Sequence, residues 1–230
     1  MKVESGAPGG APSSVAGRIA EMRAKMAEAA HRAGRDPSSV RLVGITKKQP
    51  RERVIAAIEA GLEDVGENYV QEARAKFASL PAVRKHFVGH VQTNKARAIV
   101  STFDVVQSID RLEAGRAIAR AARALGKPVS TLVQVNISPS ERFGVRPDEA
   151  PQLARALRDD EHLTVDGVMA IGPITRDPAE LRRSFSRAAE ALAAVGGSTL
   201  SLGMSDDFEL AIESGSTMVR IGTALFGARA

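Results

Sequence analysis

An alternation constrains this chain more than any other feature. Between Val40 and Ile221, eight short apolar runs alternate with segments of helical spacing. The first run starts at Val40 and stops at Lys47-Lys48-Gln49-Pro50. The others lie at Asp64–Gly66, His86–Val88, Phe103–Gln107, Val129–Val135, Leu163–Ala170, Leu200–Leu202 and Thr217–Ile221. Short runs of this kind, bounded by turn residues, read as buried strands. The spacing between them predicts helices over Arg51–Ala60, Tyr69–Phe77, a short one from Thr93, then Arg111–Leu125, Asp148–Leu157, Pro178–Ala194 and Asp206–Ser214. Every strand but the last is followed by a helix. One more helix comes first, with Val15, Ile19, Met22, Met26 and Ala29 on its apolar face, Ser13 or Ser14 as its cap and Gly34 as its stop.

Repeated strand–helix units imply a parallel sheet. Eight of them in about 190 residues suit a closed α/β architecture, the (β/α)8 TIM barrel with an additional N-terminal helix, better than an open doubly wound sheet. No GxGxxG motif argues for the open form. Closure has a consequence for the first strand: it becomes the neighbour of the eighth, about 4.8 Å away. Residues 1–12 are rich in Gly and Pro and are expected to form a flexible tail, leaving 13–230 as a single barrel domain.

Composition removes several function classes. The chain has no cysteine, which excludes disulfides, thiolate catalysis and cysteine-bound metal. Its histidines (His31, His86, His90 and His162) lack HExxH or related spacing, so no metal site is expected. No apolar run nears the roughly 18 residues that span a bilayer, and the N-terminus lacks the order of a secretory signal. A cytoplasmic protein without a membrane partner is the expectation. The net charge of +5 raises the question of nucleic acid. However, the basic residues alternate with acids along helices, as at Arg18, Glu21, Arg23, Lys25 and Glu28, and seven Phe with one Tyr and no Trp give no stacking platform. No nucleic-acid partner is expected.

Two clusters remain to carry chemistry. Lysine is seldom buried, so Lys47 at the C-terminal lip of the first strand reads as an amine at a pocket mouth, the end of a barrel where ligands bind. The plainer reading is a solvated turn. If Lys47 points inward, strand alternation turns Lys48 outward. The second cluster is Leu200-Ser-Leu-Gly-Met-Ser-Asp-Asp207 followed by Gly215-Ser-Thr-Met-Val-Arg-Ile-Gly-Thr223. Ser205 reads as a helix N-cap, and Gly222-Thr223 as a small-residue turn. These fall after strands seven and eight, where barrels often hold phosphate. An amine, an adjacent Arg220 and a phosphate cradle together suit pyridoxal 5′-phosphate, whose aldehyde needs an amine able to lose its proton; desolvation and a nearby cation both favour that loss.

The segments ITKKQP (45–50), GENYVQE (66–72), HFVGHVQTNK (86–95), SID (108–110), VQVNIS (133–138), GVMAIGP (167–173), GMSDDFELAI (203–212) and GSTMVRIGTALFGAR (215–229) together resemble the pyridoxal phosphate homeostasis proteins. These are single-domain barrels similar to the N-terminal domain of alanine racemase. The resemblance runs in order over almost everything after about residue 15. It implies that Lys47 matches the lysine forming the internal aldimine, and that Ser205, Gly222 and Thr223 match the phosphate-binding positions, with Ser201 as a further contact. It also implies that Arg220 faces the pyridine nitrogen and that Asn68 lies near the ring. A cation facing that nitrogen disfavours its protonation and weakens the ring as an electron sink. Two positions depart from the family pattern: Gln49 and Arg142 stand where lysines are usual, and arginine stays protonated at neutral pH.

Three functions compete. The first is a non-catalytic carrier and regulator that binds pyridoxal phosphate covalently but reversibly, working as a monomer and serving apoenzymes that use the cofactor. The second is a racemase-like enzyme, which needs a base on each face of the ring; in alanine racemases the second base is a tyrosine on a separate domain, whereas Tyr69 here belongs to GENYVQE. The third is a barrel for another phosphate ligand, with Lys47 as a point charge. The expectation is the first, with no catalytic residues. Blander roles are expected elsewhere: packing or solvation for His86 and His90, an exposed helix face for Arg182 and Arg183. Glu67 and Glu72 are expected to lack a mutual partner and so to form no acid/base pair.

Overall fold

The computed structural model describes residues 14–140, 142–159 and 163–227. Eight strands, β1 (Arg41–Ile45), β2 (Asp64–Glu67), β3 (Arg84–Phe87), β4 (Val105–Ile109), β5 (Val129–Asn136), β6 (Leu163–Ile171), β7 (Thr199–Ser201) and β8 (Met218–Ile221), pair in chain order as a closed barrel. All pairings are parallel. The closing pair sets Val43 opposite Arg220 and Gly44 opposite Ile221. The tail expected over residues 1–12 lies outside the described residues, as do His162 and the end of the last motif.

The helices α1 (Val15–Arg32), α2 (Arg51–Glu59), α3 (Val70–Phe77), α4 (Ala96–Thr102), α5 (Leu112–Leu125), α6 (Ala150–Arg158), α7 (Pro178–Val195), α8 (Phe208–Glu213) and α9 (Thr223–Phe226) belong to the described residues. Helix α9 corrects the expectation that the last strand has no helix after it. Its four residues are too few for a periodic pattern to register. Strand β4 begins two residues later than expected because Phe103 ends α4 instead. Its ring packs edge-on against Phe77 of α3 and Phe87 of β3, at centroid distances of 5.9 and 5.2 Å.

Helix α1 buries Ile19, Met22, Met26, Ala29 and Ala30. Ser14 caps it, its hydroxyl accepting from the Gly17 N–H at 3.1 Å. This helix straps the closing seam. Arg18 Nε donates to the Leu225 carbonyl at 2.7 Å, and Arg32 pairs with Glu209 and Glu213 at 2.8 Å each. Arg35 donates to the carbonyls of Ile212 and Ser216, both at 2.8 Å. Between the helix layer and the barrel wall lies one continuous apolar core, with Phe185, Ile118, Leu157 and Phe226 almost wholly buried. No helix among the described residues is long and apolar enough to cross a membrane.

Candidate functional site

Strand β1 ends at Ile45, two residues before Lys47. Residues 46–49 then form a tight turn closed by the Gln49 N–H to the Thr46 carbonyl at 3.0 Å. Lys47 is half-buried. Lys48 is exposed and adopts a left-handed φ of 57°. The two lysines therefore differ in exposure. Strand alternation does not reach them; the left-handed residue turns the backbone and sends Lys48 to solvent. Thr46 is buried, and its hydroxyl reaches the Gly66 carbonyl and Glu67 Oε2 at 3.1 Å each.

Glu67 and Glu72, expected to have no mutual partner, share one. Lys76 of α3 is 7% exposed, and its ammonium donates to Glu67 Oε2 at 3.0 Å, to Glu72 Oε1 at 2.8 Å and to the Thr46 carbonyl at 2.5 Å. The earlier expectation fails because it compared only the two acids. The cation that joins them sits one helical turn beyond Glu72.

Arg220 projects from β8 into the barrel. Its Nη1 donates to both the carbonyl and the hydroxyl of Ser201 at 2.7 Å, and its Nη2 to the Ala170 carbonyl at 2.8 Å. Burial draws the guanidinium down to about 10, opposed by the nearby Asp207 carboxylate, so it remains a cation at neutral pH. Burial in turn raises Asp207, while the Met204 N–H, which donates to its Oδ1 at 2.6 Å, and Arg220 pull it back.

Behind Arg220 runs a line of polar side chains across the barrel. Ser201 Oγ donates to Gln107 Oε1 at 2.6 Å. Gln107 Nε2 lies 2.9 Å from His86 Nδ1, and His86 Nε2 lies 2.8 Å from Asp64 Oδ1. The proton positions follow from the ends. Guanidinium can only donate and an ionised carboxylate can only accept, so every bond between them points from Arg220 toward Asp64. His86 thereby carries its proton on Nε2. Sequence reasoning missed Asp64, Gln107 and Lys76; for Asp64 and Gln107 the available signal was a polar residue within an apolar strand run.

On the phosphate side, α8 starts at Phe208 with Asp207 in the cap position, so Ser205 is not the N-cap. It lies half-buried in the preceding turn. A cavity of about 1090 Å³ opens beside it, lined in part by Arg142, Gly172, Met204 and Asp207. Gly222 stands at the start of α9, ahead of Thr223. A Cβ there would meet only Ile45, at 3.6 Å from its carbonyl oxygen and 3.7 Å from its Cβ, and φ is −110°. Packing does not call for glycine at this point and φ is negative, but with ψ at −87° the backbone lies outside the ordinary α and β regions. At Asn68, by contrast, the Oδ1 is buried with no hydrogen-bond partner. Gly89 presses on its backbone so closely that a Cβ would sit 2.0 Å from the Asn68 carbonyl. Closure of the barrel thus brings the Gly222 turn onto β1 just before Lys47, and ties Ser201 to Arg220. No group of three side chains able to hold a metal ion occurs among the described residues.

Known proteins were compared with this sequence and fold. The family model described as the alanine racemase N-terminal domain matches residues 19–230. A Pseudomonas aeruginosa protein named pyridoxal phosphate homeostasis protein is 43% identical over 223 residues, covering 94% of this chain and 96% of that one. An Escherichia coli K12 protein of the same name is 38% identical over 229 residues, with coverage of 94% and 97%. Among solved structures, PipY of Synechococcus elongatus with PLP bound superposes with a TM-score of 0.79 at 32% identity, covering 93% of this chain and 100% of that chain. An alanine racemase from Bartonella henselae shares the fold at a TM-score of 0.72 and 14% identity, over 94% of this chain and 60% of its own.

Proposed function

Because this chain belongs to the pyridoxal phosphate homeostasis protein family, built on the alanine racemase N-terminal domain barrel, we propose that it binds pyridoxal 5′-phosphate at the C-terminal mouth of the barrel and acts in homeostasis of that cofactor. One observation carries the assignment of the site. Barrel closure sets the Gly222 turn against the end of β1, where a Cβ added at Gly222 would lie 3.6 Å from the carbonyl oxygen of Ile45, two residues before Lys47, so packing does not require the glycine.

The residues fit the group. Gly222 leaves bare backbone where a phosphate would approach, with Thr223 and the Ser205 hydroxyl as its further contacts. The orphaned Asn68 Oδ1 is an acceptor in need of a partner beside the ring. Arg220 can only donate, so a ring nitrogen facing it would have to accept and stay unprotonated. Ser201, with its hydroxyl donating to Gln107, serves by holding Arg220 more than by touching phosphate. When bound, the cofactor supplies an aldehyde that condenses reversibly with a primary amine. Lys47 is the amine in question.

The reading is of a carrier without a committed reaction, a cytoplasmic monomer that passes the cofactor to apoenzymes depending on it. In support, Tyr69, the single tyrosine, belongs to the barrel itself, at the N-cap of α3, and not to a separate domain of the kind that supplies the second base in alanine racemases; it is 58% exposed. The test is the visible absorption spectrum with added pyridoxal phosphate, before and after borohydride, for wild type and Lys47→Ala. A band that borohydride converts to a stable adduct on Lys47, absent from the variant, is the expected result. No band in the wild type returns the barrel to some other phosphate ligand. A band that survives in Lys47→Ala moves the linkage to another amine, Lys48 first.

A further inference from the structure

A buried cation with two carboxylates is a poor device for stability alone. Replacing such a cluster with apolar residues of similar volume is often neutral or stabilising. Its geometry at Lys76 has a different logic. The Thr46 carbonyl belongs to the peptide that precedes the Lys47 Cα, and the Lys48 N–H belongs to the peptide that follows it. Lys76 Nζ donates to the first at 2.5 Å, and Glu72 Oε1 accepts from the second at 2.6 Å. Lys76 and Glu72 are themselves paired at 2.8 Å. One ion pair on α3 therefore grips both peptide planes on which the φ and ψ of Lys47 depend.

The third member extends the grip. Glu67 is fully buried; its Oε2 accepts from Lys76 at 3.0 Å and from the Thr46 hydroxyl at 3.1 Å, while its Oε1 accepts from the Asn68 N–H at 2.8 Å. The three protons of the Lys76 ammonium are all used. The held backbone includes Lys48 at a φ of 57°, a conformation uncommon outside glycine that persists only where the surroundings enforce it.

We propose that Lys76, Glu72 and Glu67 are positioning residues, a clamp that fixes the backbone of the Lys47 turn so that its amine projects into the barrel mouth while Lys48 is turned away. The proposal rests on the reading of Lys47 as the cofactor lysine. The variant to make is Glu72→Ala. Glu72 is partly exposed, so its loss frees the Lys48 N–H while leaving the buried Lys76–Glu67 pair intact; Lys76→Met would strand a buried carboxylate. Glu72→Gln keeps an acceptor oxygen and is the conservative partner.

Two readouts apply to the full chain: hydrogen exchange of the Lys48 amide in cofactor-free protein, and the dissociation rate of pyridoxal phosphate from loaded protein. In Glu72→Ala both should quicken by about tenfold, the size of one charge-assisted hydrogen bond, with Glu72→Gln within about threefold of wild type. An unchanged dissociation rate in Glu72→Ala, alongside loss of the reducible adduct in Lys47→Ala, overturns the clamp and spares the cofactor assignment. An adduct that persists in Lys47→Ala overturns the assignment, and the clamp with it.

Discussion

Arg220 and Ser201 are joined twice. A single guanidinium nitrogen of Arg220 reaches both the carbonyl and the hydroxyl of Ser201, each at 2.7 Å. Ser201 thus sits between the cation and the rest of the polar line: it accepts from Arg220 and donates to Gln107. The orientation of Arg220 is set from inside the barrel, by a residue that the mouth does not expose.

Removing that hydroxyl has two effects at once. In Ser201→Ala, Arg220 keeps only backbone acceptors, and Gln107 Oε1 is left buried without its donor. We expect a loss of about 1–3 kcal/mol, the usual cost of a buried group left unsatisfied. Urea unfolding at neutral pH measures it; a change inside experimental error would mean that water replaces the hydroxyl.

In the neutral imidazole of His86 the proton should sit on Nε2. Its Nδ1 faces the Gln107 amide nitrogen, which also lies 3.2 Å from the Met218 sulfur, a weak acceptor. Nitrogen-15 chemical shifts of the imidazole report this directly. The opposite tautomer would mean that the Gln107 amide is turned over and the bonds run the other way.

Asp207 gives a dependence on pH. Burial raises its carboxyl above the usual range, so the folded chain holds this proton more tightly than the unfolded chain. Its contribution to stability is therefore fully present in acid and falls as pH rises through the window between the unfolded value and the raised folded one. Arg220, drawn down only to about 10, adds no slope there. Asp207→Asn should gain on wild type as pH is raised from about 3 to about 7, in paired denaturation series. A constant difference between the two proteins would remove the effect.

Two glycines should separate folding from binding. At Gly222 an added Cβ meets only Ile45 at ordinary contact distance, so the stability cost of Gly222→Ala should be backbone strain alone, about 1 kcal/mol, while pyridoxal phosphate binding weakens strongly. At Gly89 the added Cβ would sit 2.0 Å from the Asn68 carbonyl, and Gly89→Ala should cost about 1–3 kcal/mol through overpacking. Melting curves with and without cofactor distinguish them. Equal destabilisation of both would argue that Gly222 serves packing alone.

The barrel was readable from the sequence because its period is coarse: each strand and most helices repeat a hydrophobic spacing that survives errors of a residue or two at their ends. That the ends of β1, β7 and β8 lie together was readable for the same reason, since a closed parallel barrel gathers strand ends at one mouth. What escaped depends on contacts between segments. Gln107 and Ser201 lie on β4 and β7, and nothing local connects them before the ring closes. Lys76 carries no local sign of burial; it is the packing of α3 against the turn after β1 that buries it. Ser205 was misread as a cap because Asp207, two residues on, competes for that place and takes it.

The strap across the seam also sets a timetable. Arg32 and Glu213 are 181 residues apart in the chain, and the β1–β8 pair that they brace is equally remote. Contacts of such separation form late, since the loop they close must first lose its entropy. During synthesis, β1 waits with an unpaired edge until β8 has left the ribosome. Arg220, Gly222 and Thr223 are on that last segment. Until it docks, β1 has neither Arg220 opposite Val43 nor the Gly222 turn against Ile45. On the proposed reading of the site, a nascent copy therefore cannot hold the vitamin until its last strand has docked.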